Sequence, residues 1–369
     1  SYGFNYPPFT IPDQVYDLFK KTFLARGNYH YAKYKAIMKI LQKNDAHTYK
    51  KIFDLSTNDI REYLNPEHLK MDEKEIESTR VSSQKVLNFY HKLLPNLVGG
   101  SADVAGRVMT KLDGGVNFAP DSRNGTNINW GIREFFMCSA SNGILLHGGL
   151  RTYAGCFLIF SDYAKNAIRM AALQKLPQIF LFSHDSIAVG EDGPTHQPIE
   201  QLAMLRSIPN FNVFRPCDAK ETYAAWRIAL ESTTNPTSII ISRQGLPLLK
   251  DSSNYELVKK GAYVISQSNK KTPDVVLIAT GSEVSLALEV KKVLSKNNID
   301  SRVVSMPSMF LFGQQPETYK EEVLGKSYTK RFSIEMSSTF GWGKYAKFNY
   351  GINEFGASGN AKDLFIEYK

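Results

Sequence analysis

Between Ser183 and Pro198 the sequence reads SHDSIAVGEDGPTHQP, which sets His184 and His196 among Asp185, Glu191 and Asp192, interspersed with Gly190, Gly193, Pro194 and Pro198. Imidazole exchanges protons near neutral pH, carboxylates can orient it, and glycine and proline fix a loop at low entropic cost. The competing reading is a structural loop whose polar side chains cap its own backbone; the density of titratable groups favours chemistry. Three other stretches could contribute. Glu134 ends Asn129-Trp-Gly-Ile-Arg-Glu and precedes a helix-like run over 135–146, and the dipole at a helix start favours a carboxylate there. Phe157, Phe160 and Tyr163 recur at spacing three, so they can line one face, a pattern that by itself more often marks core than a cofactor box. Gly99-Gly-Ser-Ala-Asp103 follows Leu97-Val98 and reads as a strand-to-loop turn open to a phosphate or hydroxyl.

These residues need a scaffold, and the sequence specifies one. From about 79 to 248, helical stretches alternate with short apolar strands, the signature of a parallel α/β sheet. The clearest unit runs from a helix over 162–175 to a strand over 178–182, the loop from His184, a helix over 199–206 and a strand over 212–215. Ligands of such sheets sit beyond the carboxyl ends of the strands, so the loop from His184 is a candidate site on topology alone. A second α/β unit follows, with strands expected over 262–265, 274–280 and 301–306 and a helix from Gly281 to Leu294. Residues 1–78 read as a lead-in, with Val15, Leu18, Phe19, Phe23, Tyr34, Ile37 and Leu41 spaced as amphipathic helices. The domains expected are thus 1–78, 79–250 and 251–369.

The 369 residues, 43% hydrophobic and 22% charged, belong to a folded chain. The net charge of +9 could attract nucleic acid, but the basic residues are mostly scattered lysines rather than an arginine stripe interleaved with aromatics. Neither a nucleic-acid nor a membrane partner is expected, since no run nears the roughly 20 apolar residues of a membrane span. Cys138, Cys156 and Cys217 lack metal-ligand or redox spacing, which suits a reducing interior. The start, SYGFNYPPF, shows no secretory leader, so a cytoplasmic location is expected; a first residue other than Met suggests a processed or cut chain.

In order along the chain, GGSADVA (99–105), NWGIREF (129–135), FLIFSDYAKNAIRMAAL (157–173), HDSIAVGEDGPTHQPIEQ (184–201), FRPCDA (214–219), SRQGLP (242–247) and ATGSEVSLA (279–287) resemble the transketolase family. YPPFTIPDQVY (6–16) also looks like that family's segment between its first two domains. The resemblance implies two consecutive three-layer parallel-sheet domains, a thiamine-diphosphate-binding fold and then a transketolase C-terminal-like domain, behind a helical lead-in. It implies transfer of a two-carbon ketol unit from a ketose phosphate to an aldose phosphate with thiamine diphosphate as electron sink.

Residue by residue, Glu134 matches the glutamate that hydrogen-bonds the cofactor's aminopyrimidine ring nitrogen, a contact that activates the cofactor. Phe157, Phe160 and Tyr163 match the aromatic pocket around the pyrimidine, and Asp103 a position on the thiazolium and diphosphate side. His184 and His196 match histidines that shuttle protons at the sugar, and Asp192 the aspartate that reads a sugar hydroxyl. Arg80 and Arg243 match arginines that hold the sugar phosphate, a task suited to a planar bidentate donor. Arg107 stands where the family has a phosphate-contacting serine, so either its charge binds phosphate or the turn is shifted.

A full-length transketolase also carries a diphosphate-binding domain marked by Gly-Asp-Gly, whose residues would ligate Mg2+ or Ca2+; here the nearest strings are Leu112-Asp-Gly114 and Glu191-Asp-Gly193. No metal ligand is expected in this chain. In the family, the site lies between that domain of one subunit and the pyrimidine-binding domain of the other. A homodimer and a diphosphate-binding domain, in a longer parent or a separate subunit, are the partners implied. Alternatives are a catalytically silent interaction module, or another thiamine-diphosphate enzyme such as deoxyxylulose-phosphate synthase. Residues 365–369 fall about where the family's final helix would start.

Overall fold

The computed structural model describes residues 3, 5–50, 60, 64, 76–252, 255–326 and 329–368, in two compact units, Ser1–Thr57 and Asn58–Lys369. The first unit is helical, with α1 (Asp13–Phe19), a π-helical turn over Lys20–Leu24, and α2 (Ala25–Asn44). None of these three segments has a buried residue. The expected apolar faces are therefore uncovered: Leu18, Phe19, Phe23, Tyr34 and Ile37 are all exposed, with Phe19 and Phe23 stacked on each other at 4.9 Å.

The second unit holds two five-stranded sheets. In the first, β2 (Leu97–Ser101), β3 (Arg151–Phe157), β4 (Ile179–Ser183), β5 (Asn212–Phe214) and β6 (Thr237–Ile241) lie all parallel in the order β2-β3-β4-β6-β5. A short ribbon of β1 (Ile76–Glu77) and β7 (Leu246–Pro247) accompanies it. Every residue of β2 to β6 is buried, which explains their near-continuous apolar runs. The second sheet orders β8 (Tyr263–Ser266), β9 (Val275–Ala279), β10 (Ser301–Ser305), β11 (Lys330–Ile334) and β12 (Phe348–Tyr350) as β12-β11-β9-β10-β8, antiparallel only between β10 and β8.

The helices that place the site follow from small-residue spacing and caps. After α3 (Thr79–Leu93), α4 (Glu134–His147) crosses α5 (Ser161–Leu173) over a face of Ala164, Ala167, Ile168 and Ala171. That spacing of three and four puts small side chains on one stripe, so the helices approach closely. The Asn142 amide seals the crossing with a 2.9 Å bond to the Ala167 carbonyl. α6 (Ala219–Glu231) is capped by Asp218, whose Oδ1 accepts from the Glu221 amide at 3.0 Å; α7 (Glu283–Lys296) follows β9.

Two local expectations change. Gly99 and Gly100 continue β2, paired with β3, instead of opening a turn, and a Cβ on them would strike the Tyr153 and Ile128 carbonyls, so these glycines serve the chain's own backbone. The last helix, α8 (Ala361–Glu367), starts earlier than expected, at the Asn360 cap, whose Oδ1 accepts from the Lys362 amide at 3.0 Å. No described helix is long and apolar enough to cross a membrane.

Candidate active site

Strand register assembles the site. Phe157 is paired with Ser183 and Ser183 with Ile241, so His184, Phe157 and Arg243 all emerge at the carboxyl edge of the first sheet. His184 then takes φ +62°, outside the strand range, in a left-handed conformation unfavourable by roughly 1 kcal/mol for a residue with a Cβ. The turn brings its ring onto Phe157, stacked with centroids 3.8 Å apart. Phe160 stacks on Phe157 at 5.8 Å, and His196 meets both rings edge-on at 6.2 and 5.4 Å. Tyr163 adjoins Phe160 at 6.1 Å and is exposed. The three aromatics thus gather across a strand end, a 3-10 turn over Leu158–Phe160 and a helix start, not along one helix face.

Both histidines are held at Nδ1 by the preceding hydroxyl residue: Ser183 Oγ lies 2.8 Å from His184 Nδ1, and Thr195 Oγ1 lies 2.9 Å from His196 Nδ1. Among the described residues, no hydrogen bond engages Nε2 of either ring. Sequence reasoning missed Ser183 and Thr195, although a hydroxyl residue directly before each histidine was readable.

Three arginines converge on His184. Thr79 fastens the start of α3 to the end of β6, its Oγ1 accepting from the Ser242 amide at 2.7 Å, which brings Arg80 beside Arg243. Arg80 Nη1 donates to the Arg107 carbonyl at 2.8 Å and Arg243 Nη1 to the Val189 carbonyl at 3.2 Å. Among the described residues none of the three forms an ion pair. Burial and then the Arg243 and Arg107 charges lower the Arg80 pKa. Burial, followed by Arg80, Arg243, Arg107 and His196, pushes His184 down to about 3, so its ring is neutral at physiological pH. Converging, unpaired guanidinium groups are a receptor for an anion.

Glu134 opens α4 and is buried, and its carboxylate makes no hydrogen bond with another described residue. Its charge, after burial, helps raise the Cys138 and Cys156 thiols; Cys156 directly precedes Phe157, so Glu134 stands against the strand carrying the aromatic cluster. A buried carboxyl near a cluster of a buried, a half-buried and an exposed aromatic ring fits a flat heteroaromatic cofactor that offers a ring nitrogen. Asp103, at φ +58° after β2, and Asp192, at the end of the 3-10 segment Ile187–Asp192, are both exposed and join no contact with the cluster. No group of three or more His, Cys, Asp or Glu side chains that could hold a metal occurs among the described residues.

Fold and site together define a parallel α/β protein that presents an aromatic, histidine and arginine cluster at its strand ends. Residues 77–247 match the family model for the transketolase pyrimidine-binding domain, and residues 261–369 that for the transketolase-like C-terminal domain. The chain is 51% identical to the Bacillus subtilis transketolase over 296 residues, covering 79% of this chain and 44% of that protein. It is 44% identical to a probable transketolase of Streptococcus pneumoniae, over 99% of this chain and 56% of the relative. A Pichia stipitis transketolase solved in complex with sedoheptulose-7-phosphate superposes with a TM-score of 0.91 at 36% identity, covering 98% of this chain and 54% of that one. The chain belongs to the transketolase family and spans about half the length of these relatives.

Proposed function

We propose that this chain supplies the pyrimidine-binding half of a thiamine-diphosphate site that transfers a ketol unit between sugar phosphates. The observation that carries this reading is the convergence of Arg80, Arg107 and Arg243 on a neutral His184 stacked on Phe157. A sugar phosphate is favoured because the arginines suit its phosphate, the histidine Nε2 atoms suit its hydroxyl and carbonyl oxygens, and a relative was solved with such a ligand. Within this reading the chain divides into a lead-in (1–78), the pyrimidine-binding domain (79–250) and the C-terminal domain (251–369). A diphosphate-binding domain, in a longer parent or a separate subunit, completes the site across a dimer.

Each residue then has a task. Bound thiamine diphosphate supplies the electron sink for carbon–carbon cleavage. Glu134, buried at the start of α4, hydrogen-bonds the pyrimidine ring nitrogen. Phe157, Phe160 and Tyr163 pack that ring and exclude water. His184 and His196, held at Nδ1, present Nε2 to the substrate's oxygens, the neutral His184 as a hydrogen-bonding group and His196 to exchange a proton. Asp192 reads a hydroxyl, Asp103 lies toward the diphosphate side, and the arginines hold the phosphate. Mg2+ or Ca2+ would be ligated by the diphosphate-binding domain.

A coupled assay with xylulose phosphate and ribose phosphate, run with the diphosphate-binding domain supplied, tests the proposal. Ketol transfer is expected; turnover of pyruvate without ketol transfer refutes it.

A further inference from the structure

The loop from His184 to Pro198 is tied to the ends of its own sheet and, through Arg215, to the C-terminal half of the second unit. Asp185, next to His184, is buried, and its Oδ2 accepts from Arg215 Nε at 3.1 Å and Nη2 at 2.8 Å. Arg215 leaves the end of β5 with no exposed surface, and its Nη1 donates to Glu283 and to both oxygens of Thr280. Glu283 in turn accepts from the Met336 amide at 3.0 Å. Thr280 also binds Glu335, which accepts from Arg206 at 2.6 and 2.7 Å and from Trp342 Nε1 at 2.8 Å. Gly281, at φ +54°, leaves room for the Arg215 side chain, which a Cβ would meet at 2.8 Å. The loop's far end is tied down separately: Gln197 Nε2 donates to the Gly190 and Ala357 carbonyls at 2.9 and 3.0 Å, and Ile187 and Ile199 pack on Ile352 and Leu364.

A buried ion network is a poor source of net stability, but a strained backbone persists only where its surroundings fix it. His184 is such a residue, and Asp185 is its neighbour. We propose that the Asp185–Arg215–Glu283 bridge is a positioning device: through it the C-terminal domain fixes the left-handed backbone of His184 and aims the imidazole at the substrate. Arg215 and Asp185 are positioning residues that touch no substrate. The catalytic part of this inference rests on the function proposed above.

The test uses the chain together with its diphosphate-binding domain. Asp185→Asn keeps one oxygen for Arg215 and is the mild variant; Arg215→Lys is the stronger one. Each is expected to lower kcat about 10- to 100-fold while KM for the sugar phosphate stays within about twofold. In a His184→Asn background the same substitutions cost less than about threefold, because the group they aim is gone. Equal losses in both backgrounds would overturn the proposal and leave the bridge as domain adhesive. A readout independent of turnover is the His184 ring resonance of the chain: Asp185→Asn should shift it with the fold retained, and an unmoved resonance also overturns the proposal. If the unsubstituted complex shows no ketol transfer, the functional reading falls while the resonance still decides whether Asp185 sets the ring.

Discussion

His184 should remain neutral far below the pH at which an ordinary histidine takes a proton. Its ordinary value is 6.5; burial first, then the Arg80, Arg243 and Arg107 charges, bring it to about 3. At about 1.4 kcal/mol per pH unit, that difference amounts to roughly 5 kcal/mol in favour of the neutral ring. The sign follows from linkage. Below pH 6.5 the unfolded chain binds a proton that the native ring refuses until about pH 3, so this group removes stability as pH falls through that interval and nothing above it. Carbon-13 labelling of the histidine rings, with the signal assigned through His184→Asn, gives a direct assay among only 7 histidines. No titration of His184 is expected from about pH 8 to about pH 5. Arg80→Met should raise its midpoint, by less than burial lowers it, and inorganic phosphate should raise it by screening the arginines. A midpoint near the ordinary value in the unsubstituted chain would refute the geometry of the site; a midpoint insensitive to Arg80→Met would remove the arginines from it.

Four other outcomes can be checked. Burial alone would raise Glu335, but Arg206 with its paired hydrogen bonds, Arg215 and Thr280 pull it down from 4.5 to about 2. Its stabilisation is thus present above pH 4.5 and lost toward pH 2, and Glu335→Gln should cost about 3 kcal/mol in denaturant unfolding at neutral pH. Burial and then Asp218 raise Glu221 from 4.5 to about 7, so the native state keeps a proton that the unfolded chain has lost. Stability therefore falls by about 3 kcal/mol between those values as pH rises, a slope that should be absent from Glu221→Gln when the two unfolding profiles are subtracted. Arg107→Ser should weaken sugar-phosphate affinity, read as a raised KM, because the Arg107 charge acts on the same point as Arg80 and Arg243. Glu134→Gln should abolish turnover of the reconstituted enzyme with the circular dichroism unchanged.

Much of the fold was legible because parallel strands buried on both faces must be apolar, as the run of β4 and the run of β9 are. Glu134 at a helix start was equally readable, since the helical pattern begins directly after it. The helical lead-in was legible from its apolar spacing, but in the first unit those side chains are exposed. Spacing records periodicity, not the surface that meets it. The Phe157, Phe160 and Tyr163 spacing likewise suggested a helix face, whereas a strand end and a 3-10 turn bring those rings together.

The amino-acid sequence by itself determined the α/β class, the order of the motifs and the identity of the groups able to do chemistry, because these depend on residue type and local period. Only the tertiary structure decided that Arg80, Arg107 and Arg243, far apart along the chain, share one field at His184, and that Arg215 reaches Asp185 on one side and Glu283 on the other. Strand register and a left-handed turn set those distances, and neither is written in the spacing of the residues they join.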